Sequence, residues 1–183
     1  MKRLALTVKQ FQLGDEVFGD ILGYMGGFAE YVCAPENKLA LKPASMTFEE
    51  VAAIPQAAVI ALQGMRDKGQ VQPGQKVLIN GAGGGAGMFA VQLAKLYGAE
   101  VTGVDNTGKL DFMRSLGADH VVDYTREDFT KNGKHIYDLI LDVVAHRSVF
   151  AYKRALRPNG SYFFVGGSVA TVFQILLLGP WIR

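Results

Sequence analysis

The sequence is poor in the residues on which disulfides and metal sites depend. Its 183 residues include one cysteine, Cys33, and three histidines, none of them at the spacing of metal ligands. A single cysteine excludes an internal disulfide and any multi-cysteine zinc site, and it suits a reducing compartment. The sequence therefore predicts a cytoplasmic protein without a metal centre, in which Cys33 is packed and unreactive on an apolar strand.

Strong charge and long apolar runs are also missing. The formal net charge is +2, and no run of lysine and arginine exceeds two residues, which argues against a nucleic-acid partner. The most apolar stretch, residues 169–182, is interrupted by Gln174, Gly179 and Pro180 and is too short to span a bilayer. With 49% hydrophobic and 20% charged residues, the composition is typical of a globular α/β protein with no membrane partner.

Glycine is concentrated in one stretch, residues 81–87, which we call the glycine turn. It follows an aliphatic run over residues 77–79 and precedes a segment with apolar residues at helical spacing. Strand, glycine turn and helix in this order are typical of the corner that holds a pyrophosphate in dinucleotide-binding folds. Glycines let the backbone approach the anion, and the first amides of the helix point at it. The sequence therefore predicts a nucleotide site.

A second strand, residues 101–104, leads to Asp105, which lies eighteen residues after Gly87. This is close to the spacing of about 20 at which an acidic residue meets a ribose hydroxyl of NAD. Asn106 and Lys109 follow in the same loop and supply a donor and a positive charge, which favour the 2′-phosphate of NADP. Tyr124, after the next strand, is a candidate for stacking beside the adenine. These residues leave the choice between the two cofactors open.

Strands and helices alternate regularly after Asp105. We predict a helix over 109–116, strands over 120–122 and 137–142, a helix over 148–156, a turn over 157–160 and a strand over 161–165. This alternation predicts an α/β fold with a parallel sheet, in which ligands bind at the carboxyl ends of the strands. The residues that follow these strand ends are therefore candidates for the cofactor site: Asp105, Tyr124, Val143, Val144, Gly166, Gly167 and Ser168.

The first part of the chain has a different pattern. Short strands are predicted within residues 12–20, from residue 26 onward, and before Pro43, with no helices between them. Thr47 and Glu50 have the spacing of a capping box, which predicts the start of a helix. A β-rich segment therefore precedes the α/β part.

Several phrases of the sequence resemble the medium-chain dehydrogenase/reductase superfamily, in particular its zinc-independent, quinone-oxidoreductase-like branch. They are residues 14–19, 27–31, 73–79, 81–87, 91–95, 116–121 and 160–167, in the order of that family. The resemblance implies a Rossmann-type doubly wound parallel sheet over residues 49–183, preceded by a remnant of a GroES-like β-barrel domain over residues 1–48. Family members are longer at both ends, so the resemblance also implies an internal fragment that stops before the last strand of its Rossmann domain.

The same resemblance implies hydride transfer between NAD(P)H and a quinone, an enone or another small carbonyl compound, in a homodimer. Relatives with a lysine at the position of Lys109 are NADPH-specific, so the resemblance slightly favours NADP(H) over NAD(H). Zinc-dependent relatives carry a cysteine ligand where this chain has Gln56, which implies no zinc. No residue is a credible general acid or base, so no catalytic residue is predicted. The family's pyrophosphate contacts fall on Ala82, Gly83, Gly84, Gly85, Ala86 and Gly87, and its approach to the nicotinamide falls on Gly166, Gly167 and Ser168.

A second function remains open, that of a non-catalytic dinucleotide-binding or interaction module, in effect a pseudo-enzyme. Two other classes of enzyme are unsupported. The sequence has no G-x-S-x-G elbow of a serine hydrolase, and no Gly-Lys-Ser/Thr of a nucleotide triphosphatase follows the glycines.

Overall fold

Two units make up the chain, Met1–Gln56 and Ala57–Arg183. In this computed structural model, residues 1, 5, 8–24 and 26–178 are described. No helix formed by those residues is both long enough and apolar enough to cross a membrane. Residues 179–183 lie outside the described part. The prediction that a further strand follows them rests on the resemblance alone.

The first unit contains a short antiparallel sheet, in which β1 (Val17–Gly19) pairs with β2 (Leu39–Leu41). A 3-10 turn, Glu36–Lys38, precedes β2, and helix α1 spans Phe48–Ala52. The hydroxyl of Thr47 accepts a hydrogen bond from the Glu50 amide, and the Glu50 carboxylate accepts one from the Thr47 amide. The predicted capping box is therefore confirmed. The assignment of residues 1–48 to a GroES-like remnant stays a prediction.

Two expectations for the first unit are wrong. Residues 26–32 form bends and irregular backbone instead of a strand, and Gly26 has a φ of +88°, which is outside the strand region. Phe28 and Val32 are both exposed, so these two apolar residues form no buried face. Cys33 is likewise exposed and lies outside any strand.

A five-stranded sheet forms the centre of the second unit. Its strands are β3 (Lys76–Asn80), β4 (Glu100–Asp105), β5 (His120–Asp123), β6 (Tyr137–Asp142) and β7 (Leu156–Phe164). The spatial order is β5-β4-β3-β6-β7, and every neighbouring pair is parallel. The chain runs outward from β3 through β4 to β5 and then returns to the other side of β3 with β6. The boundary between β3 and β6 is therefore the switch point at which such sheets bind ligands.

Helices cover both faces of this sheet, so the predicted doubly wound fold is confirmed. They are α2 (Ala57–Leu62), which continues as a π-helical stretch over Gln63–Lys68, α3 (Gly85–Leu96), a 3-10 turn (Thr107–Lys109) leading into α4 (Leu110–Ser115), and α5 (Val149–Ala155). A further helix, α6 (Val169–Leu178), follows β7 and contacts α5. Alternate strand residues face opposite sides. Val77 and Ile79 join a cluster with α3, whereas Leu78 joins a second cluster with Tyr152 of α5.

One detail differs from the sequence prediction. The predicted turn over 157–160 lies inside β7 as an irregularity, because Leu156 pairs with Tyr137 and Ser161 already pairs with Leu139. Four residues therefore face a single position of β6, and Asn159 has a φ of +65° there. The turn-forming sequence bends the strand without ending its pairing.

Candidate cofactor site

The glycine turn places the start of α3 directly against the end of β3. Gly81 has a φ of +85°, and the amides of Gly81 and Ala82 both donate to the carbonyl of Val104, at 2.9 and 3.1 Å. A Cβ atom on Gly87 would lie 2.1 Å from the Gly81 carbonyl oxygen and 2.6 Å from Cα of Ala82. Glycine is therefore required at position 81 by backbone conformation and at position 87 by close approach.

Three backbone amides at the start of α3 have no acceptor within the helix. Gly84 is the N-cap and has no side chain that could accept them, and the first intrahelical bond runs from the Met88 amide to the Gly84 carbonyl, at 2.9 Å. The amides of Gly85, Ala86 and Gly87 come before it. An added Cβ atom on Gly85 would meet its nearest neighbour only at 3.8 Å, so this position of the turn is open, whereas one on Gly84 would lie 3.3 Å from the Gly81 carbonyl oxygen. This arrangement fits a pyrophosphate.

Asp105 is engaged by the protein itself. It is 7% exposed, its Oδ2 accepts the Gly83 amide at 3.0 Å, and its Oδ1 accepts the Asn106 amide at 2.8 Å. Lys109 Nζ lies 3.7 Å from the same Oδ2, and the Lys109 side chain is 43% exposed. Its stem covers Gly83, since a Cβ atom there would be 2.5 Å from Lys109 Cδ. The cation therefore faces solvent above a buried carboxylate.

A second cation lies above a buried carboxylate on the neighbouring strand. Asp123, opposite Asp105 in the parallel register, accepts hydrogen bonds from the hydroxyls of Thr107 and Thr125. These two hydrogen bonds hold the pKa of Asp123 below its usual range, and the bond from Thr107 has the larger effect. Arg126 Nε lies 3.5 Å from Asp123 Oδ2, with its side chain 75% exposed. Sequence reasoning assigned no role to Arg126, although its place three residues after the end of β5 is a usable signal.

The segment after β6 packs against the segment after β7. Ala145 donates to the Gly166 carbonyl at 2.8 Å, and the Ser168 amide donates to the Ala145 carbonyl at 3.2 Å. A Cβ atom on Gly167 would lie 2.4 Å from the Ala145 carbonyl oxygen, so this contact requires glycine. On the other side, Val144 reaches the glycine turn, because a Cβ atom on Gly81 would be 2.9 Å from Val144 Cγ2.

Tyr124 and His146 join the two halves of this edge. The Tyr124 amide donates to the Asp105 carbonyl at 3.2 Å, and the Tyr124 ring meets the His146 ring edge to face, with centroids 6.1 Å apart. His146 Nδ1 forms a hydrogen bond with the Val144 carbonyl, at 3.0 Å. Sequence reasoning gave His146 no part in the site, and no local sequence pattern marks it.

The structure brings all the predicted site residues to the carboxyl edge of the sheet, where contacts link them in one continuous rim. Their role in binding a cofactor stays a prediction. Among residues 1, 5, 8–24 and 26–178, no group of three or more histidine, cysteine, aspartate or glutamate side chains could hold a metal ion. The residues of the rim are Ala82, Gly83, Gly84, Gly85, Ala86, Gly87, Asp105, Asn106, Lys109, Tyr124, Val143, Val144, Gly166, Gly167 and Ser168.

Known proteins share both this sequence and this fold. A sequence model of the zinc-binding dehydrogenase family matches residues 85–179, more than half of the chain. The chain belongs to this family. Its relatives confirm the resemblance to the medium-chain dehydrogenase/reductase superfamily, and they include reductases of known substrate. The family is named for zinc, but membership in it does not show that this chain binds the metal.

Three similar proteins illustrate the range. The 2-methylene-furan-3-one reductase of Solanum lycopersicum is 36% identical over an alignment of 176 residues, which covers 91% of this chain and 44% of that protein. The chloroplastic NADPH-dependent alkenal/one oxidoreductase of Arabidopsis thaliana is 34% identical over 78% of this chain and 39% of its own length. The crystal structure of CurK enoyl reductase superposes with a TM-score of 0.78 at 29% identity, over 92% of this chain and 51% of that one. The chain thus spans less than half the length of these two curated relatives.

Proposed function

We propose that this chain is the dinucleotide-binding part of an NADPH-dependent reductase that transfers hydride to an enone, a quinone or another small carbonyl compound. The observation that carries the proposal is the open glycine turn, with the unpaired amides of Gly85, Ala86 and Gly87 above it. Three backbone donors and the positive end of a twelve-residue helix suit a pyrophosphate. The family supports an oxidoreductase that uses a nicotinamide dinucleotide.

Lys109 and Asp105 support NADP(H) over NAD(H). An aspartate that binds the ribose diol presents carboxylate lone pairs to the ligand, whereas Asp105 is 7% exposed and each of its oxygens already accepts a backbone amide. The exposed group at this place is the ammonium of Lys109, and Arg126 lies above the next strand. Both side chains can form charge-assisted hydrogen bonds with a 2′-phosphate. The Arabidopsis relative is an NADPH-dependent oxidoreductase, which supports the same preference.

The bound nicotinamide would supply the hydride itself. The glycine turn would bind the pyrophosphate, and Lys109 would bind the adenosine end. Gly166 and Gly167 pack closely against the segment after β6, and the nicotinamide end would lie against their backbone. We name no catalytic residue in this chain. The named relatives are a furanone reductase, an alkenal/one oxidoreductase and an enoyl reductase. They suggest an activated carbon–carbon double bond as the preferred substrate.

Three further expectations belong to the same proposal. A zinc-independent reaction is supported by Gln56, which stands where zinc-dependent relatives are expected to carry a cysteine ligand. A homodimer is supported by the resemblance and by the exposed apolar residues of α6. A cytoplasmic location is supported by the single cysteine.

A fluorescence titration with NADPH and, in parallel, NADH tests the cofactor site. Gly84→Asp is the decisive variant, because an aspartate at the N-cap stabilises a helix by a few tenths of a kcal/mol relative to glycine while repelling a phosphate. We expect NADPH binding to be lost with the unfolding free energy nearly unchanged, because the gain at the N-cap offsets the tight 3.3 Å contact of the added Cβ atom with the Gly81 carbonyl oxygen. Gly23→Asp is the matched control, since nothing lies within 4 Å of its added Cβ atom and it is in the first unit.

Saturable NADPH binding by the wild-type chain and by Gly23→Asp supports the proposal. A folded wild-type chain that binds neither dinucleotide contradicts it. Incubation with NADPH and a small α,β-unsaturated ketone then separates the two functions left open. Consumption of NADPH supports a reductase over the non-catalytic module.

A further inference from the structure

A buried carboxylate lies at the switch point of the sheet. Asp142, the last residue of β6, is 0% exposed, and Asn80, the last residue of β3, is 2% exposed. The two residues are register partners in the parallel pair. No ion pair among residues 57–178 includes Asp142. A buried carboxylate without a cation must be satisfied by hydrogen bonds.

Two neutral side chains supply those bonds. Asn80 Nδ2 donates to Asp142 Oδ1 at 2.7 Å, and the Tyr162 hydroxyl donates to Asp142 Oδ2 at 2.8 Å. Tyr152 stacks on Tyr162 with ring centroids 4.8 Å apart. Burial first, and then the charge of Asp142, raise the pKa of both tyrosines. Their hydroxyls therefore keep their protons and remain donors.

Asn80 links Asp142 to the segment that follows β6. The side-chain Nδ2 of Asn80 also donates to the Val144 carbonyl at 3.2 Å. The backbone carbonyl of Asn80 accepts the Val143 amide at 3.0 Å. The two N–H bonds of one carboxamide are thus shared between Asp142 and Val144. The same segment touches the glycine turn, since a Cβ atom on Gly81 would be 2.9 Å from Val144 and 3.3 Å from Val143.

We propose that Asp142 is a positioning residue, which orients the Asn80 carboxamide and thereby holds Val143 and Val144 against the glycine turn. The proposal rests on the proposed function for the identity of the ligand, NADPH. Without Asp142 as acceptor, one N–H of Asn80 is buried and unpaired, and the carboxamide gains by turning away from Val144 to find another partner. The wall of the cofactor site then loses its side-chain restraint.

The opposite end of the same two strands provides a matched control. Asp138, at the start of β6, accepts the amide of Lys76 at 2.8 Å and two hydrogen bonds from Arg157, at 2.9 and 3.0 Å. Asp138 therefore also links β3, β6 and β7 through a carboxylate, but at the amino ends of the strands. If Asp142 acts only by joining strands, its replacement and that of Asp138 have the same consequences.

The experiment compares Asp142→Leu, Asp142→Asn and Asp138→Leu by NADPH titration and by amide hydrogen exchange at Val143. Asp142→Leu removes the acceptor, and we expect NADPH affinity to fall roughly tenfold, because about 1.4 kcal/mol lies within the cost of an unmade buried hydrogen bond. Exchange at Val143 accelerates by about the same factor. Asp142→Asn keeps an acceptor for Asn80, and its affinity stays within roughly threefold. Asp138→Leu lowers stability and leaves NADPH affinity unchanged.

Two results overturn the inference. One is a folded Asp142→Leu variant with wild-type NADPH affinity and wild-type exchange at Val143. The other is an equal loss of affinity in Asp138→Leu. If Asp142→Leu does not fold, Asn80→Ala, which removes the carboxamide that bonds both Asp142 and Val144, is judged by the same two readouts and is expected to show the same losses. If the wild-type chain does not bind NADPH, the proposed function fails, and exchange at Val143 alone decides whether Asp142 positions this segment.

Discussion

Replacement of Gly87 by alanine tests the packing of the glycine turn. The added methyl group would lie 2.1 Å from the Gly81 carbonyl oxygen and 2.6 Å from Cα of Ala82, and neither backbone atom can rotate away. The helix start and the turn must therefore separate by about 1 Å, a strain typical of overpacking that costs about 3 kcal/mol. The greater helix propensity of alanine returns up to about 1 kcal/mol. We expect a net loss of about 2 kcal/mol in the free energy of unfolding.

Urea denaturation followed by circular dichroism measures this loss, and Gly85→Ala is the control. A Cβ atom on Gly85, in the same helix turn, would meet its nearest neighbour, Ala57, at an ordinary 3.8 Å. Helix propensity alone then acts, and stability should rise by about 0.5 kcal/mol. Equal unfolding free energies for Gly87→Ala and Gly85→Ala would refute the argument that close approach demands glycine at position 87.

Two further variants test the charged groups of the rim. Lys109→Met keeps the stem over Gly83 and removes the charge, so NADPH affinity should fall about tenfold relative to NADH affinity, the size of one hydrogen bond to a charged group; an unchanged ratio of the two dissociation constants would contradict the assignment. The lowered pKa of Asp123 implies stabilisation that is present above about pH 4 and lost as the pH falls through the folded-state pKa. Asp123→Asn should therefore be less stable than wild type at neutral pH, with the difference disappearing in acid, and a pH-independent difference would argue against this linkage.

The parts of the fold that depend on local pattern could be predicted from the sequence. β6 has the predicted bounds, and the predicted helix over 148–156 corresponds to α5, Val149–Ala155. Strands buried on both faces appear as continuous apolar runs, and the helices that cover them show their own spacing. The glycine turn was predictable for a related reason, because a backbone that must turn sharply beside an anion and pack closely on a strand excludes side chains.

Features that depend on distant partners could not be predicted. Residues 26–32 carry the apolar residues Phe28 and Val32 on which the predicted strand rested, but a strand exists only when another strand pairs with it, and β1 and β2 pair with each other. The turn sequence over 157–160 is accommodated within β7 because β6 continues the pairing on both sides of it. The contact between Tyr124 and His146, and the bond between Asn80 and Asp142, join residues that are far apart in the sequence. No local pattern encodes such contacts.

Asp105 shows most clearly why spacing alone does not fix a role. The spacing located the end of β4 correctly, but it does not determine the direction in which the carboxylate points. In this structure the Asp105 carboxylate turns toward the glycine turn and accepts the Gly83 amide. Asp105 then shapes the glycine turn, on which both dinucleotides depend equally. Asp105→Ala should therefore weaken NADPH and NADH binding alike, by about fivefold for a hydrogen bond worth roughly 1 kcal/mol. An aspartate that bound the ribose diol would lose NADH affinity far more than NADPH affinity. Parallel titrations of the variant with the two cofactors distinguish these outcomes, and a selective loss of NADH binding would return Asp105 to the role its spacing suggests.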